Sequence, residues 1–409
     1  MKALIIGGGI AGPAAAMALQ RAGIEATVHE ARPTGADGVG VFLTLGSNGI
    51  DALRAIEADQ PAVAAGFPTP RIDLFSTTGK ALGQIRTSGP DGGFTSRTLK
   101  RADLCRALHD EARRRGVRIE QGARLVDAED TGDGVRAVFA DGGEAHGDLL
   151  IGCDGLHSTV RTLIDPAAPA PAYAGLVGLG GYTRGVPVDA EPGCYRMVFG
   201  KRAFLGYALA PDGQVWWFAN VPRPDEPARG EAEATGAEEW RRRLVELFAD
   251  DAGPAAELVR ASREIMPAGP IHAMPGVPTW HRGRMIIIGD AAHAPSPSSG
   301  QGASLSVEDA VELARALRDL PTVERAFAAY ETLRRPRVER IAKQAARVNS
   351  NKAAGPVARV FRDLLMPLLL PRMANGKRIQ ETYGHHIDWN TPHTPPGAAS
   401  GRAPGYFRV

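Results

Sequence analysis

The first residues of the chain carry glycines at a spacing suited to binding a dinucleotide. Gly7, Gly9 and Gly12 follow the apolar run 2–6 and precede an Ala-rich stretch with helical periodicity. The first glycine permits a tight turn, the second lets backbone approach a pyrophosphate, and the third lets helix and strand pack closely. Glu30, at the end of the next apolar run, can accept hydrogen bonds from ribose hydroxyls. The pattern predicts a site for an ADP group and leaves NAD and FAD both open.

A second group of candidate residues lies near position 300. The apolar run 285–288 ends at Gly289, so we expect Asp290 at the carboxyl edge of a buried strand, where its carboxylate can hold a hydroxyl group of a bound ligand. The alternative is that Asp290 only caps the following turn. Gly300 and Gly302 allow backbone to lie against a planar ring, and the next helix directs its positive end there. Such a helix end would stabilise an anionic ring such as a reduced flavin.

Two segments resemble the second and third signature motifs of the class A flavoprotein monooxygenases, the p-hydroxybenzoate hydroxylase family. They read DLLIGCDGLHSTVR at 148–161 and RMIIIGDAAHAPSPSSGQGASLSVEDAVELARAL at 284–317. With the glycine motif, the resemblance runs from residue 1 to about residue 317 in the family's order, while the insert between the motifs and the C-terminus match in pattern only. It implies an α/β fold with a Rossmann-like FAD-binding domain, interrupted by an antiparallel or mixed sheet domain for the substrate and followed by a C-terminal helical segment.

The resemblance also implies roles for single residues. Asp154 would lie near the flavin and the pyrophosphate of a nicotinamide cofactor, although an ion pair with Arg161 that only fixes the turn is an alternative. Arg101 would begin a helix and contact FAD, or else belong to a solvated basic face. Pro297 would lie beside the ring face where a flavin C4a-hydroperoxide forms, or else be a plain loop proline. The implied catalytic residues are Pro297 and Gly300, and the cofactor-binding set is Gly7, Gly9, Gly12, Glu30, Arg101, Asp154, Asp290, Gly300, Gln301 and Gly302.

Aromatic residues gather between positions 173 and 222, and we expect substrate choice to depend on this segment. Side chains alternate along a strand, so Trp216 and Trp217 should point to opposite faces. One face should pack on the domain's own helix, and the other should line an apolar pocket. The alternative is that all these aromatic residues form sheet core. The substrate candidates are Tyr182, Tyr195, Tyr207, Trp216 and Trp217.

The elements that must position these residues alternate along the chain. The pattern predicts strands at 2–6 and 25–30, a helix at 47–58, and a helix at 101–116 that ends at Gly116, where a left-handed residue caps a helix most easily. Runs typical of an antiparallel sheet lie at 177–184, 194–199, 203–210 and 214–220.

These elements predict three parts. The FAD-binding domain would comprise 1–70, 98–165 and 271–320, the sheet domain 71–97 and 166–270, and the C-terminal helices and tail 321–409. The mostly helical pattern runs from 305 to about 373, and the Pro- and Gly-rich tail 391–405 is not expected to form regular structure. Charges and a proline interrupt the apolar stretch 357–370, so its uninterrupted apolar runs are far shorter than the ~20 residues that span a bilayer. We therefore expect a docking helix, with a membrane-surface role as the minor alternative.

Composition limits the class of partner and the compartment. With 48 Lys and Arg against 46 Asp and Glu, the chain has no basic field to recruit nucleic acid, and stable membrane insertion is not expected. Three widely separated cysteines fit a reducing cytoplasm. Adjacent His385 and His386 lack enough neighbouring ligands for a metal site, so no metal is expected. The partner is expected to be a small molecule, and the protein a monomer or homodimer.

Taken together, these features predict a single-component FAD-dependent monooxygenase with NADPH or NADH as reductant. It would insert one oxygen atom from O2 into an aromatic or polycyclic small molecule through the flavin hydroperoxide. A flavin oxidase or reductase of the same fold, without oxygen transfer, is one alternative. A flavin-fold binding protein without redox activity is another, and the intact Asp290 and Gly300-Gln301-Gly302 argue against it.

Overall fold

The computed structural model describes residues 1–34, 41–89, 94–352, 355–374 and 377–393 of the 409-residue chain. Most of the predicted tail, from residue 394 on, lies outside the described residues. The strands are β1 (Lys2–Ile6), β2 (Glu25–Glu30), β3 (Phe42–Leu45), β4 (Phe67–Pro68), β5 (Arg71–Ser76), β6 (Ala81–Arg86), β7 (Arg97–Lys100), β8 (Arg118–Gln121), β9 (Leu125–Asp130), β10 (Val135–Phe139), β11 (Glu144–Gly147), β12 (Leu149–Gly152), β13 (Ala172–Thr183), β14 (Tyr195–Phe199), β15 (Phe204–Leu209), β16 (Val215–Pro222), β17 (Met266–Ala273), β18 (His281–Arg282) and β19 (Met285–Ile287). The helices are α1 (Ala11–Arg21), α2 (Ser47–Ala55), α3 (Asp59–Ala64), α4 (Arg101–Arg114), α5 (Thr159–Ile164), α6 (Glu231–Ala234), α7 (Ala237–Leu247), α8 (Ala255–Ala261), α9 (Asp290–His293), α10 (Gly302–Asp319), α11 (Val323–Lys352), α12 (Pro356–Ala374) and α13 (Lys377–Tyr383).

A six-stranded sheet in the order β18-β19-β12-β1-β2-β8 builds the first part of the molecule. Its strands are parallel except for the edge strand β18. The central strands β1, β12 and β19 are apolar and almost wholly buried, as expected for a parallel sheet covered on both faces. Strands β1 and β2 begin and end at the residues that the sequence pattern predicts, and α1 packs against α10. This is the predicted Rossmann-like arrangement.

A seven-stranded mixed sheet builds the second part, in the order β17-β13-β16-β15-β14-β5-β6. Its neighbours pair antiparallel except β14 and β5, which are parallel. The chain enters this sheet twice, first for β5 and β6 and then for β13 to β17, so the sheet interrupts the first part as predicted. The fold class is therefore confirmed, while the domain boundaries stay a prediction.

The two faces of the mixed sheet have different covers. On one face, Trp217, Tyr207 and neighbouring apolar side chains pack against α7 and α8 through Trp240, Leu244 and Leu258. The other face carries two groups of rings. Near β5 and β6, Leu74, Leu82, Phe199 and Phe204 pack against side chains of α12 and α13, and nearer β13, Tyr195 and Trp216 pack against Phe67, Phe42 and Tyr182.

Several elements differ from the sequence-based expectation. The helix expected at 47–58 ends at Ala55, because the chain turns at Glu57, which has a positive φ of 58°. The helix that begins at Arg101 ends at Arg114, and Gly116 takes the expected left-handed conformation. The pattern missed β17, whose sequence MPAGPIHA contains two prolines. An edge strand tolerates such prolines because one side of it needs no ladder hydrogen bonds, and β17 is an edge strand.

The C-terminal helices lie across both parts. Helix α11 contacts α10 and the 3-10 turn Pro297–Ser299, and α12 packs on β6. Five large apolar side chains of α12 are 48–67% exposed, and they are Val360, Phe361, Leu364, Leu365 and Leu368. Among the described residues, no helix has the length and apolarity to cross a membrane.

Candidate functional site

In the glycine loop between β1 and α1, neighbouring backbone crowds Gly7 and Gly12 but leaves free space at Gly9. Gly7 has a φ of +106°, and a Cβ there would lie 2.4 Å from the carbonyl oxygen of Cys153. A Cβ on Gly12 would lie 1.9 Å from the carbonyl oxygen of Gly7. At Gly9 a Cβ would meet nothing within 4 Å. The loop thus packs tightly on β12 while leaving free space at Gly9 in front of the helix N-terminus.

Glu30 lies beside this loop at the end of β2. Its carboxylate accepts hydrogen bonds from the backbone N–H of Gly8 at 2.6 Å and of Arg32 at 2.8 Å. The buried His109 ring on α4 bonds to the carbonyl oxygen of Gly8 from the other side. Sequence reasoning missed His109, because no local pattern links a histidine of α4 to a loop about a hundred residues earlier.

Asp154 follows β12 and caps α5. It accepts hydrogen bonds from the Ser158 hydroxyl at 2.5 Å and from the Thr159 N–H at 2.7 Å. Burial raises its pKa, and these hydrogen bonds partly oppose the rise. Arg161 donates instead to the carbonyl oxygens of Leu156 and Ala291, at 2.8 and 3.0 Å. Asp154 is therefore held by the helix N-terminus, and its backbone lies against Gly7.

Asp290 begins α9 directly after β19, at the same edge of the sheet. A Cβ on Gly302 would lie 3.7 Å from its Oδ1 atom, so the carboxylate lies beside the start of α10. Burial raises the pKa of Asp290, and interactions with His293 and Arg101 partly oppose the rise. The structure thus places the Asp290 carboxylate beside Gly302, and the charge of Arg101 acts on it. That these residues share one ligand stays a prediction.

The loop that leads into α10 is built from polar contacts. Ser296 caps the turn Pro297–Ser299, and Gly300 follows with a φ of +60°. Gln301 is buried, and its Oε1 atom accepts a hydrogen bond from Asn48 Nδ2 at 2.9 Å. The same Asn48 nitrogen donates to Glu308 at 2.6 Å. Asn48, at the start of α2, contacts this loop, and no local sequence pattern pointed to it.

Buried charges behind this loop fix α10 against α11. Arg334 donates to Glu308 at 2.6 Å and to Asp309 at 2.7 Å, and Arg337 donates to Glu308 at 2.7 Å. His293 bonds to Asp309 at 2.5 Å. Burial would raise the pKa of Glu308, but the charges of Arg334 and Arg337 outweigh it and hold that pKa well below its usual range. The cluster sets the position of the helix end that faces the loop.

The residues at this edge fit a dinucleotide with a polar ring. Gly9 offers open space before a helix N-terminus, which suits a pyrophosphate. The buried Asn48 Oδ1 atom has no hydrogen-bond partner among the described residues and can accept from a ring N–H group. FAD has both groups, and Glu30, Asp290 and the Gly300–Gly302 backbone lie along the same edge.

Three of the five substrate candidates share a face of the mixed sheet. The Trp216 ring lies 5.2 Å from Tyr182 and 5.5 Å from Phe42, measured between ring centroids. The Tyr195 hydroxyl lies within 3.4 Å of two threonine hydroxyls, Thr44 of β3 and Thr98 of β7. This aromatic face, defined by Tyr182, Tyr195, Trp216 and Phe218, is turned toward β3, which carries Phe42 and Thr44.

The other two candidates lie on the opposite face. Trp217 is fully buried, and its Nε1 atom donates to the Ser262 hydroxyl at 2.8 Å. Tyr207 lies beside it and packs against the same helices. The alternation of side chains along β15 and β16 separates these two residues from the aromatic face, so Trp217 and Tyr207 belong to the helix-covered core.

Comparison with known proteins agrees with this geometry. A family model described as an FAD binding domain matches residues 1–345. The chain is 32% identical over 342 residues to the aurachin C monooxygenase/isomerase of Stigmatella aurantiaca, covering 82% of this chain and 85% of the relative. It is 32% identical over 349 residues to the FAD-dependent urate hydroxylase of Klebsiella pneumoniae, covering 83% and 87%.

A solved structure gives the same result for the fold. Klebsiella pneumoniae HpxO complexed with FAD and uric acid superposes with a TM-score of 0.81 and 26% identity, over 94% of this chain and 96% of that one. The likeness therefore includes both sheets and extends into the C-terminal helices. Since the family model and the relatives each cover most of its length, this chain belongs to the FAD binding domain family and is a class A flavoprotein monooxygenase.

Proposed function

We propose that this monooxygenase uses NADH or NADPH to reduce FAD and inserts one oxygen atom from O2 into an electron-rich aromatic or polycyclic small molecule. The observation that carries the proposal is the aromatic face on the mixed sheet, turned toward the part of the chain that holds the FAD site. Tyr182, Tyr195 and Trp216 supply apolar ring surface with few polar groups, which suits a flat organic molecule.

Bound FAD supplies the electron transfer and the activation of O2, and the chain supplies position and environment. Gly7, Gly9 and Gly12 would receive the pyrophosphate, Glu30 and Asp290 would accept hydrogen bonds from hydroxyl groups of the cofactor, and the N-terminus of α10 would face the ring. That helix end favours a negative charge on the ring, because its free N–H groups carry partial positive charge. Pro297 and Gly300 shape the loop that would cover the ring.

The aromatic face has a second task, which is to keep water out. A reactive oxygen species next to solvent is lost as peroxide, so transfer to a substrate needs a dry site. The rings of Phe42, Phe67 and Trp216 pack at centroid distances of 5.2 to 5.5 Å and leave little room for water between them. The relative that binds uric acid suggests a planar nitrogen heterocycle as the first kind of substrate to test.

A screen of heterocyclic and phenolic compounds tests the proposal. With a true substrate, NADH or NADPH oxidation should accelerate, and mass spectrometry under labelled O2 should find one labelled oxygen atom in the product. Without substrate, oxidation should be slow and release H2O2. Peroxide formed one-for-one with oxidised cofactor, with no label in any product, would instead identify an oxidase.

A further inference from the structure

Lys352, the last residue of α11, reaches the aromatic face of the mixed sheet. Its Nζ atom donates a hydrogen bond to Asn220 Oδ1 at 2.6 Å. The same atom lies 4.1 Å from the ring centroid of Phe204 and 5.8 Å from that of Phe218. Asn220 and Phe218 alternate with Trp216 along β16 and point to the same side. The amine therefore joins the face on which the proposed function places the substrate.

Helix α11 also ties Lys352 to the loop before α10. One turn earlier, Asn349 Nδ2 donates to the hydroxyl of Ser296 at 2.8 Å, and Ser296 directly precedes Pro297. Residues three apart are neighbours on a helix surface, so the Lys352 and Asn349 side chains leave α11 next to each other. Asn349 thus contacts the loop and Lys352 contacts the sheet, and the amine lies at the boundary between them.

The surroundings of this amine are aromatic and amide groups. Among the residues that the structure describes, no carboxylate forms an ion pair with Lys352. From β15 and β16, Phe204, Phe218 and Asn220 contact its amine. From α12, Arg362 stacks on Phe199 at 4.8 Å from the ring centroid and bonds to Asp363. Burial alone lowers the pKa of Lys352 to about 7. At neutral pH a sizeable fraction of the protein molecules therefore carries Lys352 as the neutral amine.

A purely structural role accounts poorly for this placement. A lysine that braces α11 against the sheet would gain from its positive charge over the Phe204 ring. Removing an ammonium group from water without a counter-ion is costly, and here a neutral amide is its hydrogen-bond partner. Lysines that can lose their proton near neutral pH suit acid-base work better than bracing.

We propose, resting on the proposed function, that Lys352 accepts the proton of an acidic O–H or N–H group on the substrate and then holds the resulting anion. The O–H or N–H bond breaks, the proton moves to Nζ, and the electron pair stays on the substrate. The ring that receives oxygen becomes richer in electrons, and the ammonium pairs with the anion. The substrate class is thereby a phenol, an enol or an imide-type heterocycle, and not a neutral hydrocarbon.

Equilibrium binding to the FAD-loaded protein tests this proposal without turnover. The acidic probes are uric acid, 4-hydroxyquinoline and 4-nitrophenol, and the matched non-acidic probes are 4-methoxyquinoline and 4-nitroanisole. Dissociation constants come from the change in flavin absorbance between pH 6 and 9. The variants are Lys352→Gln and Lys352→Arg, and Lys343→Met, a 78% exposed lysine on the same helix, is the control.

The wild type should prefer acidic probes to methyl ethers, and its affinity for 4-hydroxyquinoline should weaken as the pH falls through about 7, because Lys352 then already carries a proton. Lys352→Gln should weaken the binding of acidic probes roughly 10- to 100-fold and leave the binding of the methyl ethers unchanged. Lys352→Arg should bind only probes that are already ionised, and its affinity for 4-hydroxyquinoline should not change as the pH passes through about 7. The control should match the wild type.

Two results would overturn the assignment. The first is a wild type that binds no acidic probe, or binds the methyl ethers equally well. The second is a Lys352→Gln or Lys352→Arg protein, folded and holding FAD, with wild-type affinities and pH dependence. Absence of oxygenated product would contradict the proposed function instead, since these binding constants do not depend on oxygen transfer.

Discussion

Asp290 is a predicted cofactor-binding residue whose surroundings in the structure fit that role. Its carboxylate follows the buried strand β19 and lies next to Gly302, and the charge of Arg101 lowers its pKa against the effect of burial. Asp290 follows the carboxyl end of a strand of the parallel sheet, where ligands of such folds bind. We therefore expect the side chain to act on FAD rather than on the stability of the turn.

Asp290→Ala should weaken FAD binding roughly 10- to 100-fold, the loss expected for a hydrogen bond to a charged group. Its unfolding temperature without FAD should stay at the wild-type value. FAD content after dialysis and titration of the apoprotein measure both quantities, with the exposed Asp127→Ala as control. Full FAD occupancy with wild-type dissociation would show that Asp290 does not bind the cofactor.

At this scale the sequence predicted residues whose role is local. Gly7, Gly9 and Gly12 act on each other and on the next helix, so their spacing is enough to identify them. Asn48 and His109 act on loops far away in the chain, and Lys352 meets Asn220 from 132 positions away. Such pairings exist only after the sheets have assembled, so no window of sequence could indicate them.

At the scale of elements, neighbouring residues of β16 lie on opposite faces of the sheet and have different surroundings. Trp216 faces Phe42 and Tyr182, whereas Trp217 is sealed beneath α8 and bonded to Ser262. The period of two was readable from the sequence, but which face is covered by helices was not. That choice depends on where α7 and α8 pack, and their apolar residues identify a covered face only in the folded sheet.

Replacing each tryptophan by leucine should separate the two tasks. Trp216→Leu should change substrate affinity or the fraction of NAD(P)H lost as H2O2, with FAD binding unchanged. Trp217→Leu should lower the free energy of unfolding by about 2–4 kcal/mol, because it leaves a cavity in a closed core. Chemical denaturation and peroxide assays measure the two effects. If both variants only lost stability, with coupling at the wild-type level, the aromatic face would be structural.

At the scale of the whole molecule, the buried charges between α10 and α11 connect stability to pH. Glu308 has a pKa held well below its ordinary value of 4.5, so its ionised form favours the folded state. This contribution is complete above about pH 4.5 and is lost as the pH falls toward the lowered pKa. Because the same residues support the loop before α10, a change in the cluster should affect the fold and the cofactor site together.

Arg334→Met should destabilise the protein by roughly 3–5 kcal/mol at pH 7, because it leaves buried carboxylates short of a partner. The difference in unfolding free energy from the wild type should narrow as the pH falls, since protonation of the buried carboxylates removes the uncompensated charge. Arg340→Met, which removes a half-exposed ion pair with Glu381, should change stability by no more than about 0.5 kcal/mol. Unfolding curves at several pH values check both. A gap that is constant with pH would contradict the charge-based account.

The interrupted order of the six-stranded sheet governs when the protein can acquire its cofactor during synthesis. Strand β1 leaves the ribosome before the other strands of this sheet, but β19 and Asp290 follow only after the whole mixed sheet has been made. The start of α10 emerges later still, and α11, which holds it in place, comes after that. A growing chain therefore carries the glycine loop and Glu30 but lacks the loop before α10 that would cover the ring. Cofactor binding then takes place at the last stage of translation or in the released protein.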